Sequence, residues 1–278
     1  MKYFLCLIFF TVSFFYSEAQ VHTASKQVHV MDTAFFMPQL NRTRRIWIYL
    51  PEDYEKNKKQ YPVLYMQDGQ NIFDAATAAS EEWNVDECLD SLINAGRQAC
   101  VVVGIDSDPK RVNEYNPFAS PDFGEGDRYL DFISQTLKPF IDSHYRTLPS
   151  KENTIIAGSS MGGLISYYAM IKQSQVFGKA GIFSPLFSVA PQIKLLTDSL
   201  AAKISGKFFF YMGAKEGDEN ISNMTGIEEM LGERSAAMIY SVIDEDGMHN
   251  EAAWRKWFPE FYCWIMAEGF NYVIKAEQ

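Results

Sequence analysis

One short stretch restricts the possible folds of this 278-residue chain more than any other feature: Gly158-Ser159-Ser160-Met161-Gly162-Gly163. It contains Gly-x-Ser-x-Gly directly after the apolar run Asn153 to Ala157, and the apolar segment Leu164 to Ile171 follows it. The first reads as a buried strand and the second as a helix. A serine between them sits on a sharp strand-to-helix turn, with its hydroxyl exposed at the end of a sheet. Such a strained turn needs neighbours with little or no side chain, and Gly162 and Gly163 let the helix start close to the strand.

The rest of the chain fits the α/β class that this turn implies. Near-continuous apolar runs, the mark of strands buried on both faces, occur at Arg45 to Leu50, Tyr61 to Met66, Ala99 to Ile105, Lys207 to Met212 and Ala237 to Ile243. Helical patterns lie between them, at Glu81 to Ala95, Asp127 to Tyr145, Leu164 to Gln175, Ile221 to Leu231 and Glu251 to Glu268. Pro139 predicts a kink or break late in the second of these. Alternating strands and helices predict a mostly parallel sheet flanked by helices on both faces. In such sheets, sites lie beyond the C-terminal ends of the strands, where Ser160 is placed.

Met1-Lys2, the apolar run Tyr3 to Tyr16 and the small residues of Ser17-Glu18-Ala19 read as a secretory signal cleaved after Ala19. The run is too short to span a bilayer, and no later segment is long and apolar enough to do so. Residues 20–278 are then expected to form one catalytic domain, secreted or periplasmic. The net charge of −10 argues against nucleic acid or an anionic membrane as partner. An aromatic content of 15% suits a large core and a ring-binding cleft equally well, so it does not separate them. The cysteines outside the leader are Cys88, Cys100 and Cys263. Their spacing fits no metal site, so neither metal nor cofactor is expected. Cys88 and Cys100 are the pair an oxidising compartment could join, but buried free thiols are the expected state.

A serine hydroxyl is a weak nucleophile at neutral pH and needs an adjacent base. In this architecture the base follows the serine, in the order serine, acid, histidine. His22, His29 and His144 precede Ser160, which leaves His249, just after the last strand. The acid that orients the imidazole is expected after the strand 207–212, with Glu216 the first choice and Asp218 the second. Asp244 and Asp246 are further from the expected position. One donor to a developing oxyanion is expected from the Met161 amide, and another from the loop Gln67-Asp68-Gly69-Gln70-Asn71. Asp-Gly alone is an ordinary turn, and its value comes from its place in the strand order.

Leu64 to Phe73, Gly158 to Gly163 and Asp246-Gly247-Met248-His249, with the tryptophan-rich last helix, resemble the esterase D / putative esterase family of α/β-hydrolases. The similarity runs from about Arg45 to Phe261. It implies an α/β-hydrolase fold, Ser160 as nucleophile, His249 as base, the Met161 and Gln70 amides as oxyanion hole, and Glu216 as the position closest to the family's acid. Arg111 to Pro117, in the long aperiodic stretch Asp106 to Asp127, resembles a segment near the substrate entrance in that family. Asp68, Arg111 and Tyr115 are therefore the expected substrate-binding residues, with Arg111 also expected to pair with Glu114. Trp254 and Trp257, three apart, are expected to pack in the core rather than to serve as sugar platforms.

These readings imply a secreted serine carboxylesterase acting on acetyl or feruloyl esters of carbohydrate through an acyl-enzyme. Hydrolysis of a siderophore or another small ester is the runner-up, followed by acyl transfer. A non-catalytic carbohydrate-binding protein is disfavoured by the intact serine, histidine and Gly69-Gln70 loop. The oligomeric state is left open.

Overall fold

The computed structural model describes residues 21–118 and 124–267. The expected signal segment and part of the long 106–127 stretch lie outside the described residues. Eight strands form one sheet in the order β1-β2-β4-β3-β5-β6-β7-β8. They are β1 (Val28–Met37), β2 (Arg42–Tyr49), β3 (Val63–Gln67), β4 (Val101–Ile105), β5 (Thr154–Ser159), β6 (Lys179–Phe183), β7 (Ser205–Gly213) and β8 (Ala236–Asp244). The β1–β2 and β2–β4 pairs are antiparallel, and the other five pairs are parallel. This is the expected mostly parallel α/β sheet.

The continuous apolar runs have a simple cause, because alternate residues of each strand enter different cores. Val63, Tyr65, Phe208 and Phe210 face one core, built with helices α3 (Gly126–Phe132), α4 (Lys138–His144), α5 (Met161–Lys172) and α7 (Asp218–Arg234). Leu64, Met66, Phe209 and Tyr211 face the other, built with α1 (Val85–Asn94) and α8 (Glu251–Met266). The short helices α2 (Arg111–Glu114) and α6 (Gln192–Leu200) complete the set. Among the described residues no helix is long and apolar enough to cross a membrane.

Three local departures from the expected pattern have physical reasons. The helix expected from Glu81 starts only at Val85, because the Trp83 and Val85 amides donate instead to Asn71 O and Ile72 O, at 2.9 and 3.0 Å. The expected break near Pro139 takes the form of a π-helical segment, Ile133–Leu137, immediately before it. There the Lys138 amide bonds Ile133 O, five residues back, and the wider turn accommodates a residue that has no N–H to donate. Strand β6 escapes a hydrophobicity reading because it is short and interrupted by Gly181. A side chain at Gly181 would lie 2.6 Å from the Phe261 ring, so the strand gives up a residue to let α8 pack.

Cys88, Cys100 and Cys263 are all free, so the Cys88–Cys100 bond is not formed. Burial pushes the Cys88 and Cys100 thiols up to about 12, which leaves them overwhelmingly as unreactive thiols at neutral pH.

Candidate active site

Strand β5 ends at Ser159 and α5 starts at Met161, leaving Ser160 alone on the turn with φ 60° and ψ −122°. A non-glycine residue in that region costs about 1–3 kcal/mol and persists only where its surroundings impose it. Here the backbone bonds impose it. The Ser160 amide donates to Phe183 O at 2.9 Å, and Ser160 O accepts from Leu164 and Leu186 at 3.1 and 3.3 Å. The glycines are needed for contact. A Cβ on Gly158 would lie 2.8 Å from Gln67 Cγ and 2.9 Å from Gly162 C, and one on Gly163 would lie 2.9 Å from Phe183 O. Met161 is the first residue of α5, so its amide has no partner within the helix and faces outward from the positive end of the helix dipole.

His249 lies on the loop between β8 and α8, and its Nδ1 is 2.6 Å from Glu216 Oε2. Glu216 ends a 3-10 turn, Ala214–Glu216, directly after β7. Its other oxygen accepts from Ser184 Oγ at 2.6 Å and from the Gly213 amide at 2.9 Å. The side chain is 2% exposed, against 37% for His249. Ser184, itself at φ 44°, receives the indole N–H of Trp254 at 2.8 Å. The Trp254 ring stands edge-on to the imidazole, with 5.2 Å between centroids. The acid and base loops meet through backbone: Lys215 N–H donates to Gly247 O at 3.1 Å. A Cβ on Gly213 would lie 2.4 Å from Gly247 C, so both turns need glycine to approach this closely.

The other candidate acids are engaged elsewhere. Asp218 is exposed at the start of α7. Asp244 takes Lys256 and the Trp257 indole, each at 2.9 Å, and Asp246 pairs with Lys215 at 3.1 Å. Of the four carboxylates weighed from the sequence, only Glu216 is brought to the imidazole.

Across the nucleophile turn, β3 ends at Gln67 and Asp68 adopts the left-handed conformation, φ 57° and ψ 49°, before the 3-10 turn Gly69–Asn71. Gln70 is held at both ends of its side chain. Its Nε2 donates to Ser107 Oγ at 2.8 Å, and its Oε1 accepts from the Ser107 amide at 2.9 Å. Its carbonyl accepts from Thr77 Oγ1 at 2.8 Å, which holds the peptide that follows it. Gly69 packs directly on β4, where a Cβ would lie 2.7 Å from Gly104 C and 2.8 Å from Ile105 N. Gly69→Ala must therefore displace this loop or strand. We expect it to lower kcat at least 10-fold while leaving the far-ultraviolet circular dichroism unchanged; an unaltered kcat would show that the loop does not set the site.

Two sequence expectations are corrected here. Arg111 does not pair with Glu114. Its guanidinium forms a two-pronged bridge to Asp68, Nε to Oδ1 at 2.6 Å and Nη2 to Oδ2 at 2.7 Å, and Nη2 also reaches Ser159 O at 3.3 Å. Burial opposes the charge on Arg111, but the Asp68 bonds outweigh it and hold its pKa above the ordinary value. Glu114, on the same short helix, points under the sheet to Arg42 and Arg44, each at 2.7 Å. Four residues of helix cannot aim both side chains at one another while each serves a different wall. Nor does Tyr115 line an open cleft: its ring is fully buried, beneath the Arg111 guanidinium at 5.2 Å and against Tyr129 at 5.0 Å. Asp68 and Arg111 thus spend their polar atoms on each other, clamping the Gly69 loop to the residue before Ser160.

Trp254 is in the core, as expected, and Trp257 is half-buried near Tyr211. Ser184 was missed because it follows a strand that hydrophobicity does not reveal. The sequence suggests only packing for the indole of Trp254, since a donor's partner seventy residues away leaves no local trace.

The chain is 29% identical to the uncharacterized protein YbbA of Bacillus subtilis over 188 residues, 64% of this chain and 71% of that protein. It is 24% identical to an endo-1,4-beta-xylanase/feruloyl esterase of Xylanibacter ruminicola over 236 residues. That match takes in 82% of this chain but only 30% of the relative, so this chain spans under a third of its length. Among solved structures, a ferulic acid esterase superposes with a TM-score of 0.67 at 20% identity, covering 86% of this chain and 98% of that one. At that identity the likeness speaks for the fold, which is that of the α/β-hydrolase esterases. The sequence pattern of the family described as "Putative esterase" matches residues 38–262, and the chain belongs to that family, a carboxylic ester hydrolase.

Proposed function

We propose that this protein is a secreted serine carboxylesterase that removes acetyl or feruloyl groups from carbohydrate through an acyl-enzyme on Ser160. The observation that carries the reading is the 2.6 Å contact between His249 and a buried Glu216 that two other donors also hold, on the same sheet end as a serine at positive φ. A carboxylate on Nδ1 fixes the tautomer that leaves Nε2 free as the base. In the proposed cycle, Ser160 Oγ attacks the ester carbonyl and its proton passes to His249 Nε2. The oxyanion receives the Met161 and Gln70 amides, a role that the start of α5 at Met161 and the Ser107 bonds holding the Gln70 side chain support. Collapse expels the alcohol, which takes the proton from His249. A water activated by the same imidazole then hydrolyses the acyl-enzyme. Glu216 orients the imidazole and stabilises the imidazolium.

The match to a relative named for feruloyl esterase activity over most of this chain supports an aryl or acetyl ester of plant polysaccharide as substrate. The Met1 to Ala19 leader pattern supports export to where such polymers occur. The test is turnover of methyl ferulate, acetylated xylan and a catecholate trilactone side by side, with Ser160→Ala as the blank. The proposal expects kcat/KM on methyl ferulate or acetylated xylan to exceed that on the trilactone by at least 10-fold. The reverse order would reassign the protein to siderophore hydrolysis, and acyl transfer outpacing hydrolysis when a sugar acceptor is added would reassign it to a transferase.

A further inference from the structure

Just before α1 and in its first turn lies a group of oxygens that the esterase chemistry does not use. Glu82, Asp86 and Glu87 each present a carboxylate oxygen within 4.8 Å of the other two. Each has one oxygen already committed or exposed and one that is not. Glu82 Oε2 accepts from Thr23 Oγ1 at 2.6 Å and Asp86 Oδ2 from the Ser25 amide at 2.7 Å. Their second oxygens, Glu82 Oε1 and Asp86 Oδ1, are buried and have no partner. The residues are 5% and 0% exposed, so these are lone pairs removed from solvent. Glu87 Oε2 and the Ser25 hydroxyl oxygen are buried and unpartnered as well. Among the described residues, no lysine, arginine or histidine forms an ion pair with any of the three carboxylates; the nearby Arg255 spends its guanidinium on Glu82 O, Asn84 and Glu81.

Leaving several buried acceptors unsatisfied, three of them on carboxylates, is costly enough that native proteins rarely do it. Either protons or a cation must answer them. A calcium ion bonds oxygen at about 2.3–2.6 Å, so two ligands on opposite sides of one are just under 5 Å apart. Magnesium demands about 2.1 Å in a regular octahedron and keeps its waters, which an already dry cluster does not supply. We propose that Glu82, Asp86 and Glu87, with the Ser25 hydroxyl, form a calcium site that fastens the segment 22–25 to the loop before α1 and to that helix's first turn. That segment is already tied to the loop by Asp74, which takes His22 Nδ1 at 2.7 Å and the Thr23 amide at 3.1 Å. The loop in turn carries Trp83, which packs at 5.6 Å against Trp254. The spacing of these acids in the sequence resembles no metal motif, because Ser25 and the outer donors come from a distant segment.

The test is calcium titration of the whole protein after treatment with a chelator, followed by calorimetry and by thermal unfolding, with p-nitrophenyl acetate turnover monitored separately. One equivalent should bind, and the Tm should rise by about 5–10 °C at a calcium concentration ~100-fold above Kd. Magnesium at the same concentration should give less than half that shift. Asp86→Asn should abolish the shift and leave turnover within about 3-fold. Should Asp86→Asn not fold, the half-buried Glu87→Gln should reduce affinity at least 10-fold. Ser160→Ala should bind calcium normally, which separates this site from the esterase reading. No heat and no shift with the unsubstituted protein, or a shift that persists in both carboxylate variants, would overturn the site. A Tm that rises in calcium-free Asp86→Asn with no calcium response in the parent would identify a cluster held by shared protons instead.

Discussion

Replacing Ser160 by alanine is expected to lower kcat on p-nitrophenyl acetate by about 10⁴- to 10⁶-fold, with circular dichroism and elution volume unchanged. The nucleophile cannot be bypassed, because the proposed oxyanion donors only stabilise what an attacking oxygen creates. The structure adds a second, opposite expectation at the same position. Ser160 is held at φ 60° and ψ −122° by its bonds to Phe183, Leu164 and Leu186, a region that only glycine enters without cost. Ser160→Gly should therefore lose the activity as completely as alanine while raising stability by about 1–2 kcal/mol, or a Tm gain of about 3–6 °C. Alanine, with its Cβ, should give no such gain. Turnover within 100-fold of the parent in both variants would sink the assignment of the nucleophile. A glycine variant no more stable than the alanine one would show that the turn stores no strain.

Glu216→Gln should lower kcat by about 10²- to 10⁴-fold with little change in KM. The amide is nearly the size of the carboxylate, so packing survives, but its bonding does not. Glu216 accepts from Ser184 Oγ, the Gly213 amide and His249 Nδ1, and an amide can keep three acceptor contacts only by turning its NH₂ away from all of them. At a side chain 2% exposed the NH₂ has no water to turn to. It would face the imidazole and force the proton onto Nε2, the nitrogen that must be free to act as base. Asp218→Asn, exposed on α7, should change kcat less than 2-fold. Equal and small losses in both variants would point to a serine–histidine pair working without an acid. Ser184→Ala offers a milder version, because it removes one donor and leaves the Trp254 indole without its acceptor. It should weaken kcat by a factor of ten or less.

Much of this site could be read before any coordinates. Gly158-Ser159-Ser160-Met161-Gly162 marks its own turn because a strained serine constrains the residues beside it, and the periodicity around it separates strand from helix. His249 followed by elimination. Glu216 was ranked ahead of Asp218 from chain order, yet only the fold distinguishes a carboxylate under three donors from one in water two residues later. Arg111 shows the limit in the other direction. Its neighbour in sequence, Glu114, is a reasonable partner on local grounds, but Arg42 and Arg44 take the glutamate and Asp68, forty-three residues away, takes the arginine. Strand β6 was invisible for a related reason: Gly181 is there for the Phe261 ring, a demand made by a residue eighty positions further on.

The sequence alone determined the class of fold, the position of the serine turn, the candidate base and the family. Each of these depends on spacing along the chain: period two or period 3.6, small residues beside a strained one, and the order of strands. The tertiary structure decided which acid meets the imidazole, that Arg111 clamps the Gly69 loop to the nucleophile turn, that Ser184 and Trp254 support Glu216, and that Thr23 and Ser25 meet Glu82 and Asp86. Those are pairings between segments far apart in the chain. Their energies depend on burial and on the direction of individual lone pairs, and neither exists until the sheet has brought its strand ends together.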